Sequence, residues 1–252
     1  MGESRGPGQK ALVVIPALNE ARALPSTLQQ FMNSPSIDGW SISAVVIDDG
    51  STDGTSDVAR KAGILCLRHP VNCGVGAAMR TGFKYALANG YDAVVQVDAD
   101  GQHPINEISN LISNLDDSDV VVGSRFLAGP WEASFIRRMA MRFLGFLVKI
   151  STGKKFTDPT SGFRVAGPRA IKFFAVNYPS EYLGDTVESL VLAHRHGLKM
   201  KEIPASLEVR QHGAASHTPA RAGLHVFRAA GMIILTAGVW RTNPQSKETV
   251  DN

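Results

Sequence analysis

The feature that most constrains this chain is a regular beat in its first half, where short aliphatic runs alternate with segments of helical period. Residues Ala11–Ile15, Ile42–Ile47, Ile64–Leu67, Ala93–Val97 and Val120–Gly123 read as strands, with Glu20–Met32, Thr52–Ala62, Ala77–Ala88 and Pro104–Leu115 as the helices between them. Buried β-rich runs joined by helices are satisfied by a mostly parallel sheet with helices on both faces, an α/β fold. After Ser124 the beat loosens. Trp131–Ile150 reads as a long amphipathic helix, Phe163–Ala166 as a strand and Asp185–His196 as a helix closed by Gly197. Met200–Leu207 reads as an edge strand interrupted by Pro204, and Leu224–Trp240 as a terminal helix. No repeat or low-complexity linker divides the chain, so the second half extends the same domain.

In an open parallel sheet, ligands bind at the carboxyl ends of the strands. The residues there are polar and specific: Pro16 to Glu20 after the first run, Asp48 to Thr55 after the second, Asp98 to Pro104 after the fourth and Gly123 to Phe126 after the fifth. If the chain stays extended, Asp98 and Asp100 project to one side, with Gln102 two residues further as a neutral oxygen ligand. Oxygen-only ligands suit Mg²⁺ or Mn²⁺, whose remaining positions go to water and substrate phosphates. In the second cluster, Ser51 or Thr52 can cap the next helix and Asp53 suits its first turn. Asp48 and Asp49 exceed what a cap requires, and strand-end carboxylates can accept hydrogen bonds from a nucleoside base or ribose. Arg80 is either a reach toward a sugar nucleotide or a solvated helix arginine. Asn72 to Gly76 is not a dinucleotide loop, because Met79 stands where the third glycine belongs, and no Gly-x-x-x-x-Gly-Lys loop is present. A nucleotidyltransferase would need a glycine- and lysine-rich first loop, which is missing.

Taken in order, Pro16–Glu20, Asp48–Thr55, Asn72–Gly76, Asp98–Pro104, Gly123–Arg125, Asp158–Arg164 and the late Arg210-x-x-Gly213-x-x-Ser216 resemble family 2 glycosyltransferases of the GT-A fold. Within that family they are most similar to dolichyl- or polyprenyl-phosphate mannose synthases. The resemblance implies inverting transfer from a UDP- or GDP-sugar by a domain spanning residues 10–220. It implies that Pro16, Ala17, Asn19, Glu20, Asp48, Asp49, Gly76, Arg80, Asp98 and Ala99 hold the nucleotide sugar. Asp98, Asp100 and Gln102 would hold the metal, and Arg125, Arg138, Arg164 and Arg210 the phosphates, with Asp100, Arg125 and Asp185 as the catalytic set. Two positions depart from the pattern: Ala17 replaces a frequent tyrosine, and His217 stands where relatives carry lysine.

A lipid phosphate acceptor needs no strong general base, since its second ionisation lies near pH ~6 and its oxygen is already charged. A hydroxyl acceptor, in cell-surface glycan or natural-product glycosylation, would need one. Asp185, opening a helix, is the best candidate, with Glu188 one turn on, although a first-turn acid also suits a helix dipole.

Composition bears on where such an acceptor would be met. The 252 residues are 44% hydrophobic and 19% charged with 2 Cys, which excludes disordered, collagen-like and disulfide-scaffold classes. Cys66 and Cys73 have no metal-type spacing and read as free thiols. Ala133 to Thr157 holds six basic residues (Arg137, Arg138, Arg142, Lys149, Lys154, Lys155) and no acid; Val209 to Arg241 holds four arginines and no acid. The longest apolar run, Ala229–Trp240, is twelve residues, short of the ~20 that span a bilayer but suited to lying on one. The expectation is a cytoplasmic protein, peripheral on the cytoplasmic membrane face, with no nucleic-acid partner. Residues 1–9 would be a flexible lead, 221–241 an interfacial helix and 242–252 a polar tail.

Overall fold

The aliphatic runs pair as their alternation predicts. The structure is a computed structural model and describes residues 8–34, 36–129, 135–179 and 185–206. Seven strands form one sheet: β1 (Gln9–Ala17), β2 (Trp40–Asp48), β3 (Leu65–Arg68), β4 (Ala93–Gln96), β5 (Val120–Ser124), β6 (Arg164–Ala166) and β7 (Met200–Pro204). Their order is β3-β2-β1-β4-β6-β5-β7. Neighbours run parallel except at β6, which is antiparallel to both β4 and β5.

Period-two alternation sends successive side chains of a strand to opposite faces. Leu12, Val14, Val45, Ile47, Val94 and Val122 enter one core, and Ala11, Val13, Ile15, Val46, Val95 and Val121 the other. The first core is closed by α3 (Val75–Ala88), α6 (Phe135–Thr152), α7 (Pro168–Asn177) and α8 (Asp185–Arg195). The second is closed by α1 (Leu24–Met32), α2 (Thr55–Lys61) and α4 (Ile108–Ser113). A short α5 (Arg125–Ala128) follows β5. The small residues of α3 have a reason: a Cβ at Gly82 would stand 2.5 Å from Val14 Cγ1, so the helix lies directly on β1.

Several boundaries differ from the sequence expectation. The α1 helix starts at Leu24 rather than Glu20, with Pro25 in its first turn, where the missing N–H costs nothing. The segment expected as one helix from Pro104 splits into a 3₁₀ turn (Ile105–Glu107) and α4. The α7 helix was not anticipated, although Gly167-Pro168 is a helix-start signal. As expected, β7 lies at the sheet edge, with Pro204 its last residue. The terminal helix at Leu224–Trp240, the interfacial segment and the polar tail lie outside the described residues.

Candidate active site

Because β1, β2, β4 and β5 run in one direction, the loops that leave them emerge at a single edge of the sheet. The antiparallel β6 adds a fifth segment there. Arg164, its first residue, sits opposite Gln96 at the end of β4 and opposite Val122 of β5, so the lead-in Asp158–Phe163 falls beside the loop carrying Asp98.

On the β1–β2 side, the two loops are latched by their own polar groups. Asn19, in the left-handed region at φ 56°, donates its N–H to Ser51 Oγ at 2.9 Å and accepts the Thr52 N–H at 2.8 Å. The Glu20 N–H donates to Thr55 Oγ1. Neither Ser51 nor Thr52 caps α2, whose N-cap is Gly54; Asp53 lies just before the helix and accepts the Thr55 N–H at 2.9 Å. Burial pushes the Asp53 carboxyl up, but hydrogen bonds from Thr55 and Ala21 outweigh it and hold the group below the usual range.

Asp48 and Asp49 have an internal account that the sequence reading lacked. Asp48, 1% exposed, accepts the Ser51 N–H at 2.9 Å and the Ser56 hydroxyl. Burial raises its carboxyl, and these bonds with the nearby Arg68 charge bring it below the ordinary value. Asp49 organises the turn before α3: it accepts the N–H groups of Cys73 and Gly74 at 2.9 and 2.7 Å and faces His69 Nδ1 at 2.7 Å. Gly76 is buried in the first turn of that helix. Pro16 and Ala17 are the last residues of β1, paired with Ile47 and Asp48.

The Asp98 loop corrects one geometric expectation. The strand ends at Gln96, Asp98 lies two residues beyond it and Asp100 is in the turn that follows, so no continuous strand aligns their carboxylates. Local contacts orient the loop instead. His103, buried, accepts the Asp98 N–H at Nδ1 (2.8 Å) and stacks on Phe163. Asp100 Oδ1 accepts the Gln102 N–H at 3.0 Å, and the Ala99 carbonyl accepts the Thr27 hydroxyl at 2.9 Å. The Asp98 side chain remains 41% exposed. A Cβ at Gly162 would stand 3.1 Å from both Asp98 carboxylate oxygens, so glycine there keeps the space beside the carboxylate clear. An all-oxygen donor set with room beside it fits a hard divalent cation.

The basic residues divide sharply. The Arg125 Nε–H donates to Asp158, which is fully buried. The Asp158 and Thr157 N–H groups are in turn held by the Glu202 carboxylate of β7, at 2.7 and 2.8 Å. Sequence reasoning gave Glu202 no role, and nothing in the strand, where it follows Lys201, singled it out. Arg164 is not presented to a phosphate: 7% exposed, it donates to the carbonyls of Ser161, Pro159 and Thr186 and to Ser189 Oγ. Arg80 is not a free solvated arginine: its Nε–H and Nη2–H donate to the carbonyl of Tyr178, the residue after α7. Arg138 is exposed on α6, and Arg210 lies outside the described residues. Asp185 opens α8 but is 2% exposed, so its carboxyl lies beneath the surface; burial pushes it up to about 6 against the pull of Arg164. Among the described residues, its buried Oδ2 has no hydrogen-bond partner.

The α6 helix carries an exposed apolar stripe. Met139, Phe143, Phe146 and Ile150 are 56%, 45%, 58% and 67% exposed, and at 100° per residue they fall on one line along the helix. Arg138, Arg142 and Lys149 are exposed along one flank of it. Among the described residues, no helix is long and apolar enough to cross a membrane.

The family model for glycosyl transferase family 2 matches residues 12–178. An uncharacterized protein of Methanocaldococcus jannaschii is 33% identical over 196 residues, covering 76% of this chain and 79% of that protein. An undecaprenyl-phosphate mannosyltransferase of Micrococcus luteus is 31% identical over 217 residues, covering 81% and 86%. Among solved structures, glucosyl-3-phosphoglycerate synthase from Mycobacterium tuberculosis, in complex with Mn²⁺, UDP-glucose and phosphoglyceric acid, superposes with a TM-score of 0.71 at 20% identity, covering 92% of this chain and 80% of that one.

Proposed function

The chain belongs to glycosyl transferase family 2, and from that premise we propose that it moves a sugar, with inversion, from a nucleotide-diphosphate donor to a polyprenyl phosphate at a membrane surface. Asn19, Glu20 and Asp48, with the end of β1, form the nucleoside side. When bound at Asp98, Asp100 and Gln102, Mg²⁺ or Mn²⁺ neutralises the charge that develops on the departing diphosphate. The Mn²⁺ and UDP-glucose of the M. tuberculosis enzyme, which shares the fold, support this choice of metal and donor class. Arg125, held by Asp158, is oriented for phosphate, and the exposed Arg138 lies on the helix that would meet the lipid.

The observation that carries the acceptor is the α6 stripe, because apolar residues flanked by arginine and lysine are what an interfacial helix presents to anionic lipid. Burial of Asp185 agrees with it. An acceptor that arrives ionised needs no base, whereas a sugar hydroxyl needs one that can reach it.

A donor panel of UDP- and GDP-sugars, with Mn²⁺ or Mg²⁺ and with polyprenyl phosphate or simple sugars as acceptor, tests the reading by chromatography of the products. Glycolipid formation is expected. Transfer confined to free sugars overturns the lipid acceptor.

A further inference from the structure

We propose that Asp49, His69 and Cys73 form a second metal site, for a borderline-soft divalent ion of the zinc class, sharing no ligand with the Asp98 loop. One carboxylate oxygen, one imidazole nitrogen and one sulfur lie within 4.8 Å of one another. They come from the end of β2, the residue after β3 and the turn before α3, so sequence spacing could not reveal them. Mixed O, N and S donors select zinc-type ions, and hard oxygen-seeking Mg²⁺ is not suited to them.

The surroundings resemble a built site. His69 Nδ1 faces Asp49 at 2.7 Å, while Nε2 lies 2.8 Å from Thr81 Oγ1. Thr81 in turn donates to the Ala77 carbonyl at 3.1 Å, so its oxygen is free to accept the Nε2–H and leave Nδ1 as the ligating atom. Asp49 is fixed by the N–H groups of Cys73 and Gly74. Tetrahedral ligation at the usual bond lengths separates ligand atoms by about 3.4–3.6 Å. The Asp49–His69 contact therefore opens by less than ~1 Å, and the sulfur closes by rotation of an exposed side chain. In the empty site the imidazole proton bridges Nδ1 to Asp49; loading moves it to Nε2, where it faces Thr81 Oγ1, and releases the Cys73 thiol proton to solvent. Two protein-anchored ligands and one exposed thiolate leave the fourth position to water.

Co²⁺ titration of the reduced, chelator-treated protein tests this, read by thiolate-to-metal charge-transfer absorbance. A band saturating at one equivalent is expected, displaced by Zn²⁺ and not by Mg²⁺. It should disappear in Cys73→Ser and persist in Cys66→Ser and in Asp98→Asn, which separates it from the glycosyltransferase metal. Thr81→Val should weaken Co²⁺ binding by about 10–100-fold. Circular dichroism of each variant verifies the fold. Absence of the band in the wild-type protein, or its survival in Cys73→Ser, overturns the site.

Discussion

His103 holds Asp98 from both ends: its Nδ1 accepts the Asp98 N–H at 2.8 Å, and its Nε2 stands 3.5 Å from the Asp98 carboxylate. Because Nδ1 accepts, the ring proton sits on Nε2 and faces the carboxylate. The imidazole thereby sets the attitude of the residue proposed to ligate the metal. His103→Ala should lower Mn²⁺ affinity in the presence of UDP by about 10–100-fold, read by calorimetry. His103→Asn, whose carbonyl can take the Asp98 N–H, should recover part of it. Equal affinity in all three proteins would refute the positioning role.

Asp100 carries the proposed metal more directly. Chelation with EDTA should abolish turnover, and Mn²⁺ should restore it in the wild-type enzyme but not in Asp100→Ala, where the loss should exceed about 100-fold. Radiolabelled sugar transfer measures it. Full activity of the variant would show that the metal sits elsewhere.

Asp185 makes a pH prediction. Its folded-state pKa lies near 6 against an ordinary 3.8, so burial disfavours the charged form. The contribution of this residue to stability is fully present below pH 3.8 and is lost as pH rises through about 6, a change of roughly 3 kcal/mol at most. Asp185→Asn should therefore be more stable than wild type at pH 7.5, with the difference vanishing near pH 4 in urea titrations. Under the lipid-phosphate reading it also retains most of its turnover, whereas loss of glycolipid synthesis would identify Asp185 as the base.

Arg164 separates a structural role from a phosphate-binding one. Its removal takes the guanidinium donor from the Ser161 and Pro159 carbonyls and leaves a void beside Thr186 and Ser189, which keep their bond to each other. Arg164→Met should cost about 3 kcal/mol or more, seen as a lower urea midpoint. A raised acceptor KM with unchanged stability would restore the phosphate assignment.

Phe146, 58% exposed, lies mid-stripe on α6. Phe146→Asp should weaken co-sedimentation with vesicles containing anionic phospholipid by at least about 10-fold, because a carboxylate replaces apolar area and opposes the surface charge. Turnover of a short-chain, water-soluble polyprenyl phosphate should change little. Unaltered vesicle binding would remove α6 from the membrane contact.

The sheet and the edge at which its loops gather were legible in the sequence because period-two burial and strand-end polarity are local signals. The roles of single side chains were less so. Arg164 and Arg80 carry charge that suggests phosphate, yet each is turned onto backbone carbonyls by elements far away in the chain, Thr186 on α8 and Tyr178 after α7. Asp48 and Asp49 drew attention as a pair, but their partners Ser56, His69 and Gly74 are set by the packing of α2, β3 and α3. The turn that begins after Asp98 breaks an alternation that would hold only if the strand continued. Long-range partners, which no spacing encodes, account for the arginines and for Asp49, and local turn geometry for Asp98.

The reversed direction of β6 divides the sheet into an all-parallel side, β3-β2-β1-β4, and a second side, β6-β5-β7, that meet at the junction of Gln96 with Arg164. The loops proposed to hold the nucleotide hang from the first side, and the Arg125–Asp158–Glu202 chain from the second. The two sides share their packing, because Val14 and Val94 lie in one core with Val120 and Val122, and Phe83 of α3 packs on Phe174 of α7. Substitutions on one side should therefore couple to those on the other, with Asp98 at the seam answering to both.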